Sequence, residues 1–312
     1  MMAVANSGEI LFVKSVKDGI PNRDPLNESD ARRLFGEADG RISLSDVSIK
    51  RDVRDYVLAR YPDGGSNKDK FIFIHEQRNE AGKLLKRDEV AESIKKRAGL
   101  ESEKDMQEVL CRAAFDVRVF GAVYSVRSQS FNLTGPTQFA WAHSLHPVES
   151  QYIQGTVVLP SDEGKGQGTI WSTYIVPFAV FSMYGVVNHA LARKTGMTIK
   201  DTELLLEGLW RGTQHRQARG RGIQEPLMLV HIEYKDPFFR IGYLDEKITI
   251  VPESDEWRRD SKPTTVRDIK LNVEPLTATL QHHAEQIERC RVWLYPELEI
   301  IGDLPGEIGA SW

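Results

Sequence analysis

The sequence is poor in cysteine and has no long apolar run, and each absence excludes a class of protein. Cys111 and Cys290 lie far apart and outside any metal-type spacing, which predicts unpaired thiols in a reducing compartment. No stretch approaches the ~18 uninterrupted apolar residues of a membrane span, and residues 1–10 lack the features of a signal peptide. We therefore expect a cytoplasmic protein that has no membrane partner.

The chain also lacks an excess of positive charge, since its formal net charge is -4. Proteins that bind polyanions through bulk charge are usually basic overall, so a nucleic-acid site here would depend on local clusters of cations. Such clusters occur at Lys50-Arg51-Arg54, at Lys95-Lys96-Arg97 and along residues 211–221. Taken singly, each cluster is more typical of a solvated helix face or loop.

Familiar catalytic motifs are absent as well. The glycine-rich stretch 164–168 lacks the spacing of a phosphate loop and the apolar strand that precedes one. His143 and His146, with Glu149 nearby, stand in no helical ligand spacing, so histidines satisfied within a loop fit better than metal ligands. We expect no catalytic residue, no metal and no cofactor.

What the sequence does contain is an alternation of strand and helix patterns across 312 residues, which favours one large domain, 1–312, with insertions. A first helix is predicted to end near Tyr61, and two later helices are predicted over 178–193 and 199–211. Stripped of insertions, the order is βαββαβ, the ferredoxin-like arrangement that RNA-recognition modules share, in the α+β class. The four principal strands are predicted near 9–16, 115–126, 137–145 and 227–234.

Three parts of the sequence carry a resemblance to a known family. The first part consists of 16–25 and 45–56. The second consists of 116–123, 131–139 and 144–148. The third consists of 175–178, Tyr184-Gly185 and 215–221. These stretches resemble the backbone subunit of type I CRISPR Cascade complexes, subtype I-B or I-C, within the repeat-associated RNA-binding superfamily. Asn22-Arg23 stands where many relatives have asparagine-glycine, and His143 stands where relatives usually have arginine.

The resemblance implies a ferredoxin-like palm, a projecting thumb hairpin at about 147–175 and a finger-like helical insertion at about 62–112. It implies copies that stack head to tail along a guide RNA, each thumb folding over the RNA bound by its neighbour. The implied partners are CRISPR guide RNA, the target DNA strand that pairs with it, neighbouring copies of the chain and other Cascade subunits.

A guide of variable sequence must be held through its phosphates and 2′-hydroxyls, because its base edges stay free for pairing. Lys50, Arg51 and Arg54 would line a phosphate track, and the small residues of loop 132–135 would let the main chain approach an anion. Without the resemblance that loop is equally consistent with an ordinary turn, and with it RNA contact is favoured. For segment 211–221, contact with RNA or target DNA is favoured over a solvated linker. The predicted RNA-binding residues are Asn22, Arg23, Lys50, Arg51, Arg54, Ser128, Phe131, Asn132, Thr134, Gly135, Gln138, His143, His215, Arg216 and Arg219.

Other interpretations stay open. Phe131, Phe139 and Trp141 fit either a core or platforms for stacking bases, although the place of Phe131 at a loop entrance favours stacking. Some members of the superfamily cut RNA with a loop aspartate, and Asp18 or Asp24 follows the first strand, so a metal-dependent ribonuclease is one alternative. A monomeric RNA-recognition module that reads a defined sequence is another.

Overall fold

The computed structural model describes residues 3–27, 30–126, 129–156, 170–252, 262–309 and 312. In chain order the described elements are β1 (Gly8–Lys17), β2 (Ser43–Leu44), α1 (Asp46–Arg60), α2 (Arg87–Arg97), α3 (Met106–Ala113), α4 (Phe115–Phe120), β3 (Gly121–Val126), β4 (Gln129–Thr134), β5 (Thr137–Phe139), β6 (Ala142–Ser144), β7 (Gln151–Thr156), β8 (Ile170–Ile175), β9 (Phe178–Val187), α5 (His189–Thr195), α6 (Ile199–His215), β10 (Ile223–Tyr234), β11 (Thr249–Val251), β12 (Lys270–Asn272), α7 (Glu274–His282), β13 (Ile287–Leu294), β14 (Glu299–Ile301) and β15 (Glu307–Ile308). None of the described helices is both long and apolar enough to cross a membrane.

The central sheet has eight described strands in the order β15–β13–β10–β1–β9–β6–β2, with β5 also paired to β9. Neighbouring strands are antiparallel except β13 and β15, which are parallel. Strand β1 lies between its two longest partners: Leu11 is opposite Tyr184 of β9 and Val230 of β10. Every residue of β1 except Lys17 is buried, because both faces of the sheet are covered.

One face of the sheet is covered by α1 and α6. Ile10 and Phe12 of β1 pack in a core with Val53 of α1 and with Leu205 and Leu209 of α6. The opposite face is covered by the C-terminal elements β11, β12 and α7, which build a separate apolar cluster against β1, β9 and β10. A third cluster joins α2 and α3 to the β3–β4 hairpin. Successive side chains of β1 therefore pack alternately into two apolar cores, one on each face of the sheet.

Two glycines of α6 allow α1 to approach closely. A Cβ at Gly208 would lie 2.8 Å from Val53 Cγ1, and a Cβ at Gly212 would lie 2.4 Å from the main-chain oxygen of Asp52. Helical propensity alone predicts that Gly212→Ala would stabilise the protein by up to about 1 kcal/mol. We expect the reverse, a loss of about 1–3 kcal/mol in the free energy of unfolding, because the added methyl overpacks the helix contact.

Urea unfolding of Gly212→Ala, with Gln214→Ala as the control at an exposed position of α6, measures this effect. An increase in stability at position 212 would mean that α1 and α6 do not pack as closely as described.

Two buried histidines make the fold sensitive to acid. Burial lowers the pKa of His146 to about 4, and burial together with Arg291 lowers the pKa of His231 to about 3. Both are therefore neutral when folded, while in the unfolded chain they take up protons below their ordinary pKa of 6.5. Their contribution to stability is complete above pH 6.5 and is lost as the pH falls toward 4.

We expect acidification from pH 6.5 to 5.0 to cost about 2 kcal/mol for each of these histidines, as followed by urea unfolding. His146→Gln should flatten this pH dependence, while the exposed control His282→Gln should leave it unchanged. Equal slopes for all three proteins would contradict the buried, neutral state of His146.

Two sequence-based strand and helix assignments are wrong. Of the strand predicted over 115–126, residues 115–120 form α4 and only Gly121–Val126 is a strand, which pairs with β4 outside the central sheet. Of the helix predicted over 178–193, Phe178–Val187 is β9 and the helix begins at His189. In 115–120 the alternation of apolar residues with Asp116 and Arg118 imitates a strand, but both charged side chains are buried in ion pairs. Residues 178–187 are almost wholly apolar and buried, so no polar face marks their period.

The hairpin predicted within 147–175 is represented by β7 and β8, which are antiparallel partners from Gln151–Ile175 to Thr156–Ile170. The polar, glycine-rich tip predicted around 161–168 lies outside the described residues. The mixed α+β class is confirmed.

Candidate nucleic-acid interface

Three segments that are distant in sequence meet at the C-terminal end of β1. The turn after β1 lies against the segment between α6 and β10, where the Ile20 N–H donates to the Gly220 oxygen at 2.9 Å. A Cβ on Gly19 would lie 2.0 Å from the Gly222 nitrogen, so both positions require glycine for this main-chain contact. The start of α1, capped by Ser45, completes the third side.

These segments enclose an open cleft of about 590 Å³, which we call the arginine cleft. Its lining residues are Ile20, Pro21, Asn22, Arg23, Arg32, Ser45, Asp46, Val47, Ser48, Arg51, Trp141, Arg216, Ala218, Arg219 and Arg221. Six of them are arginines and one is a carboxylate, Asp46, whose Oδ2 accepts a hydrogen bond from Lys50 at 2.8 Å. The described lining therefore carries a surplus of positive charge.

A buried carboxylate holds the base of the cleft together. Asp52 of α1 accepts hydrogen bonds from Lys14 Nζ at 2.8 Å, Arg216 Nη1 at 2.8 Å and Arg221 Nη2 at 2.6 Å. Burial opposes ionisation of Asp52, but the three cations together hold its pKa below the ordinary value. Burial also lowers the pKa of Lys14 to about 8. Three cations around one carboxylate leave net positive charge beneath the cleft.

Two other arginines of the cleft are partly free to meet a ligand. The Arg51 side chain is 53% exposed, with its guanidinium bonded to Asp55 at 2.9 Å one helical turn away. Arg219 is exposed and lies over the Trp171 ring, 5.6 Å from its centroid. An exposed i,i+4 ion pair is weak, so Arg51 can exchange its carboxylate for a phosphate at little cost.

A second cavity of about 530 Å³ continues the cleft toward the β7–β8 hairpin. Arg23, Arg219 and Gly220 contribute to this cavity, while Ile153 and Trp171 of the hairpin form its other wall. Arg23 also donates from Nη2 to the Gly220 oxygen at 3.2 Å, which fixes its guanidinium at the junction. The two cavities form one cationic path from α1 to the hairpin.

The structure brings together five of the predicted residues in this cleft: Asn22, Arg23, Arg51, Arg216 and Arg219. Sequence analysis missed Arg32 and Trp171, for which the pattern carried no signal, and did not single out Arg221 within the basic segment 211–221. Arg32 lies over the Trp141 ring at 5.8 Å, so Trp141 belongs to the cleft rather than to the core.

Other predicted residues lie elsewhere. Lys50 donates to Asp46 at 2.8 Å and to Gln138 Oε1 at 3.4 Å, on the side of α1 that faces Phe120. Arg54 is buried and its Nε donates to Asp116 at 2.9 Å, so its charge is already neutralised inside the protein. Arg54 is absent from the arginine cleft, but it lines another cavity, of about 380 Å³, together with Arg51. That the two arginines share one phosphate track stays a prediction.

The predicted loop 132–135 is mostly strand, since β4 continues to Thr134. Phe131 stacks on Tyr124, with ring centroids 5.3 Å apart and planes at 17°, and Asn132 and Thr134 are exposed on the same strand. A Cβ on Gly135 would lie 2.2 Å from the Phe120 carbonyl carbon, so this glycine serves main-chain packing.

Two further predicted residues, His143 and His215, line neither cavity of the path. His143 Nδ1 lies 3.0 Å from the Ser43 hydroxyl, and burial lowers its pKa. His215 is exposed at the end of α6. Ser128 lies outside the described residues.

The ribonuclease alternative depended on Asp18 or Asp24. Asp24 Oδ1 accepts the Leu26 N–H at 3.0 Å in a local turn. Across the described ranges, no group of three His, Cys, Asp or Glu side chains is arranged to hold a metal ion.

Comparisons with known proteins agree with one another. The family model described as CRISPR-associated protein Cas7 matches residues 6–274. A protein of that name from Haloferax volcanii is 29% identical over 97% of this chain and 91% of its own length. A solved chain from a CRISPR RNA-guided surveillance complex, pre-nicking, has a TM-score of 0.56 at 16% identity, over 96% of this chain and 97% of its own. Another, from a CRISPR RNA-guided surveillance complex, has a TM-score of 0.50 at 17% identity, over 97% of this chain and 95% of its own. The two solved chains share the fold.

Proposed function

The chain belongs to the Cas7 family of CRISPR-associated proteins, and from that premise we propose that it binds guide RNA along its backbone as a repeated subunit of a surveillance complex. The observation that carries the proposal is the convergence of six arginines on one open cleft. Guanidinium groups pair with phosphate oxygens without reading a base, as a guide of variable sequence requires.

The aromatic side chains of the path fit the same ligand. Trp141 and Trp171 each have an arginine over the ring, so the indole faces lie beside cationic groups. Bases of any identity stack on an aromatic face, so such contacts add affinity without selecting a sequence. The path therefore supports sequence-tolerant binding, in contrast to a module that reads a defined site.

The parts of the chain take the roles that the resemblance implies. The strand order β10–β1–β9–β6, with α1 following β1 and α6 joining β9 to β10, corresponds to a ferredoxin-like palm. We assign the thumb to the β7–β8 hairpin and the finger to the part containing α2 and α3. Copies associate head to tail, with the hairpin of one copy reaching RNA on its neighbour, and other subunits join the complex. The target DNA strand pairs with bases that the cleft leaves free.

The role is binding rather than catalysis, in the cytoplasm. A metal-dependent ribonuclease needs carboxylates facing its substrate, whereas the described lining of the cleft offers Asp46 alone, in an ion pair with Lys50. The arginines there suit retention of an intact polyanion. Cleavage of the target DNA is assigned to other components of the complex.

The test is to express the chain with a CRISPR array, purify it and size the RNA that accompanies it. Intact array-derived RNA in a multimeric particle, uncut after magnesium or manganese is added, is the expected result. A monomer without RNA would contradict the proposal. Metal-dependent cutting that Asp24→Ala abolishes would instead support the ribonuclease alternative.

A further inference from the structure

A cavity unrelated to the arginine cleft lies at the opposite, N-terminal end of β1. Residues 195–201, which form one wall, are next to this end because the Ala5 N–H donates to the Met197 oxygen at 3.0 Å. The cavity holds about 480 Å³ and is also lined by the loop 67–70, the end of α3 and Arg118 of α4. This volume lies within the roughly 300–1,000 Å³ that small-molecule sites occupy.

Arg118 holds the walls of this cavity in place. Its guanidinium donates to both carboxylate oxygens of Asp201, at 2.7 and 3.1 Å, to the Cys111 oxygen at 3.0 Å and to the Asp69 oxygen at 2.9 Å. One buried side chain thus ties α6, α3 and the loop 67–70 to α4. The cavity is built from rigid elements, which keeps its lining groups in position before any ligand arrives.

The charges that remain on the lining are positive. Lys70 neutralises Asp69 at 2.7 Å, and Arg118 neutralises Asp201. Arg112 has its nearest carboxylates at 3.9 Å, beyond hydrogen-bonding distance, and its side chain is 55% exposed. Lys200 is exposed and forms no ion pair with any residue that the structure describes. Lys200 is therefore available to an anion in this cavity, and Arg112 can turn to one by exchanging its long contacts with Glu103 and Glu108.

A buried donor in the lining has no partner. Thr195 is only 3% exposed, and its hydroxyl makes no hydrogen bond within the described structure. A buried hydroxyl without a partner is costly, and a bound water, ion or ligand that accepts its hydrogen bond removes that cost. The cavity also faces the first turn of the 17-residue helix α6, whose dipole favours negative charge.

We propose that this cavity binds a small phosphate-bearing ligand. The Thr195 hydroxyl donates to a phosphate oxygen, and Lys200 and Arg112 neutralise its charge. The phosphate belongs either to a free mononucleotide or to the terminus of a nucleic acid. This site is independent of the guide-binding cleft, because the length of β1 separates the two.

The probes are inorganic phosphate, adenosine monophosphate, and one short RNA with and without a 5′-phosphate, each titrated into the full chain by calorimetry. The double variant Thr195→Val, Lys200→Ala should weaken binding of the preferred probe at least about tenfold, since it removes one charged and one neutral contact. The control is Lys194→Ala, an exposed lysine on α5 that does not line the cavity. Circular dichroism melting checks that each variant is folded.

Binding of phosphate and mononucleotide supports a free ligand, and binding that requires the 5′-phosphate of RNA supports a terminus. Chloride at matched ionic strength should not displace the phosphate-bearing probes. Equal affinity for both RNA forms with no binding of phosphate or mononucleotide, or an equal loss in Lys194→Ala, would overturn the proposal. Arg23→Ala with Arg219→Ala should weaken binding of RNA in the arginine cleft but leave the binding of phosphate and adenosine monophosphate, and the gain in affinity from a 5′-phosphate, unaffected. Failure of either site is therefore seen separately.

Discussion

Replacing Asp52 with asparagine is expected to lower the free energy of unfolding by about 3–5 kcal/mol. The substitution removes the one negative charge that Lys14, Arg216 and Arg221 share in the base of the arginine cleft. Lys14 and Asp52 are both almost completely inaccessible to solvent, so water cannot solvate the unpaired ammonium group of Lys14. Breaking one side of a buried ion pair is costly because the remaining charge stays desolvated.

The matched control is Asp55→Asn, one helical turn along α1. Asp55 also pairs with arginines, Arg51 at 2.9 Å and Arg216 at 3.5 Å, but its side chain is 24% exposed. We expect its loss to cost about 1 kcal/mol or less. Urea unfolding at pH 7 of both variants makes the comparison. Similar costs for the two would mean that Asp52 does not organise the base of the cleft.

The double variant Arg23→Ala, Arg219→Ala should lower the affinity for single-stranded RNA roughly 10- to 100-fold at moderate salt. Both side chains line the arginine cleft and its continuation toward the hairpin. Because two phosphate contacts are lost, the slope of log affinity against log salt should decrease by about 1.4. The loss should be similar for RNAs of different sequence, since phosphates rather than bases are contacted.

The control for this variant is Arg267→Ala, Arg289→Ala, which changes the net charge equally. Arg267 pairs with Glu297 in the C-terminal part of the chain, and Arg289 of β13 pairs with Glu307 of β15 at the edge of the central sheet. Neither pair lines the cleft or its continuation. Fluorescence anisotropy over a range of salt concentrations measures both variants. If the control lowers affinity and slope as much as the cleft variant, binding reflects general charge and the cleft has no special role.

Much of the fold was predictable because local patterns of apolar residues and of helix-ending residues mark the elements. The strands at 9–16 and 227–234 correspond to β1 and β10, and the helix over 199–211 to α6. The predicted βαββαβ order placed strands at 115–126 and 137–145, whereas the strand beside β1 is β9, at 178–187, which also pairs with the short β5 and β6. A segment buried on every side, such as β9, loses the polar positions that distinguish period 2 from period 3.6.

The site was predictable only in part, for a similar reason. Arginines in a basic segment indicate positive charge, but the sequence does not show whether a carboxylate from elsewhere in the chain neutralises that charge. Arg54 is neighbour to Arg51 in the same helix, yet one is paired with buried Asp116 and the other faces the cleft. Tertiary packing brings Arg32 to the arginine cleft and Trp171 to the cavity that continues it, and no local pattern encodes this. The family resemblance, by contrast, is confirmed, because it was carried by whole stretches rather than by single positions.

The central claim is that guide RNA lies in the arginine cleft and along the β7–β8 hairpin. Ultraviolet crosslinking of 4-thiouridine RNA to the purified chain, followed by mass spectrometry of the peptides, tests it most directly. Crosslinks should fall on peptides containing Trp141, Trp171 and residues 216–221, for RNAs of unrelated sequence alike. Crosslinks confined to the C-terminal layer of β11, β12 and α7 would contradict the account.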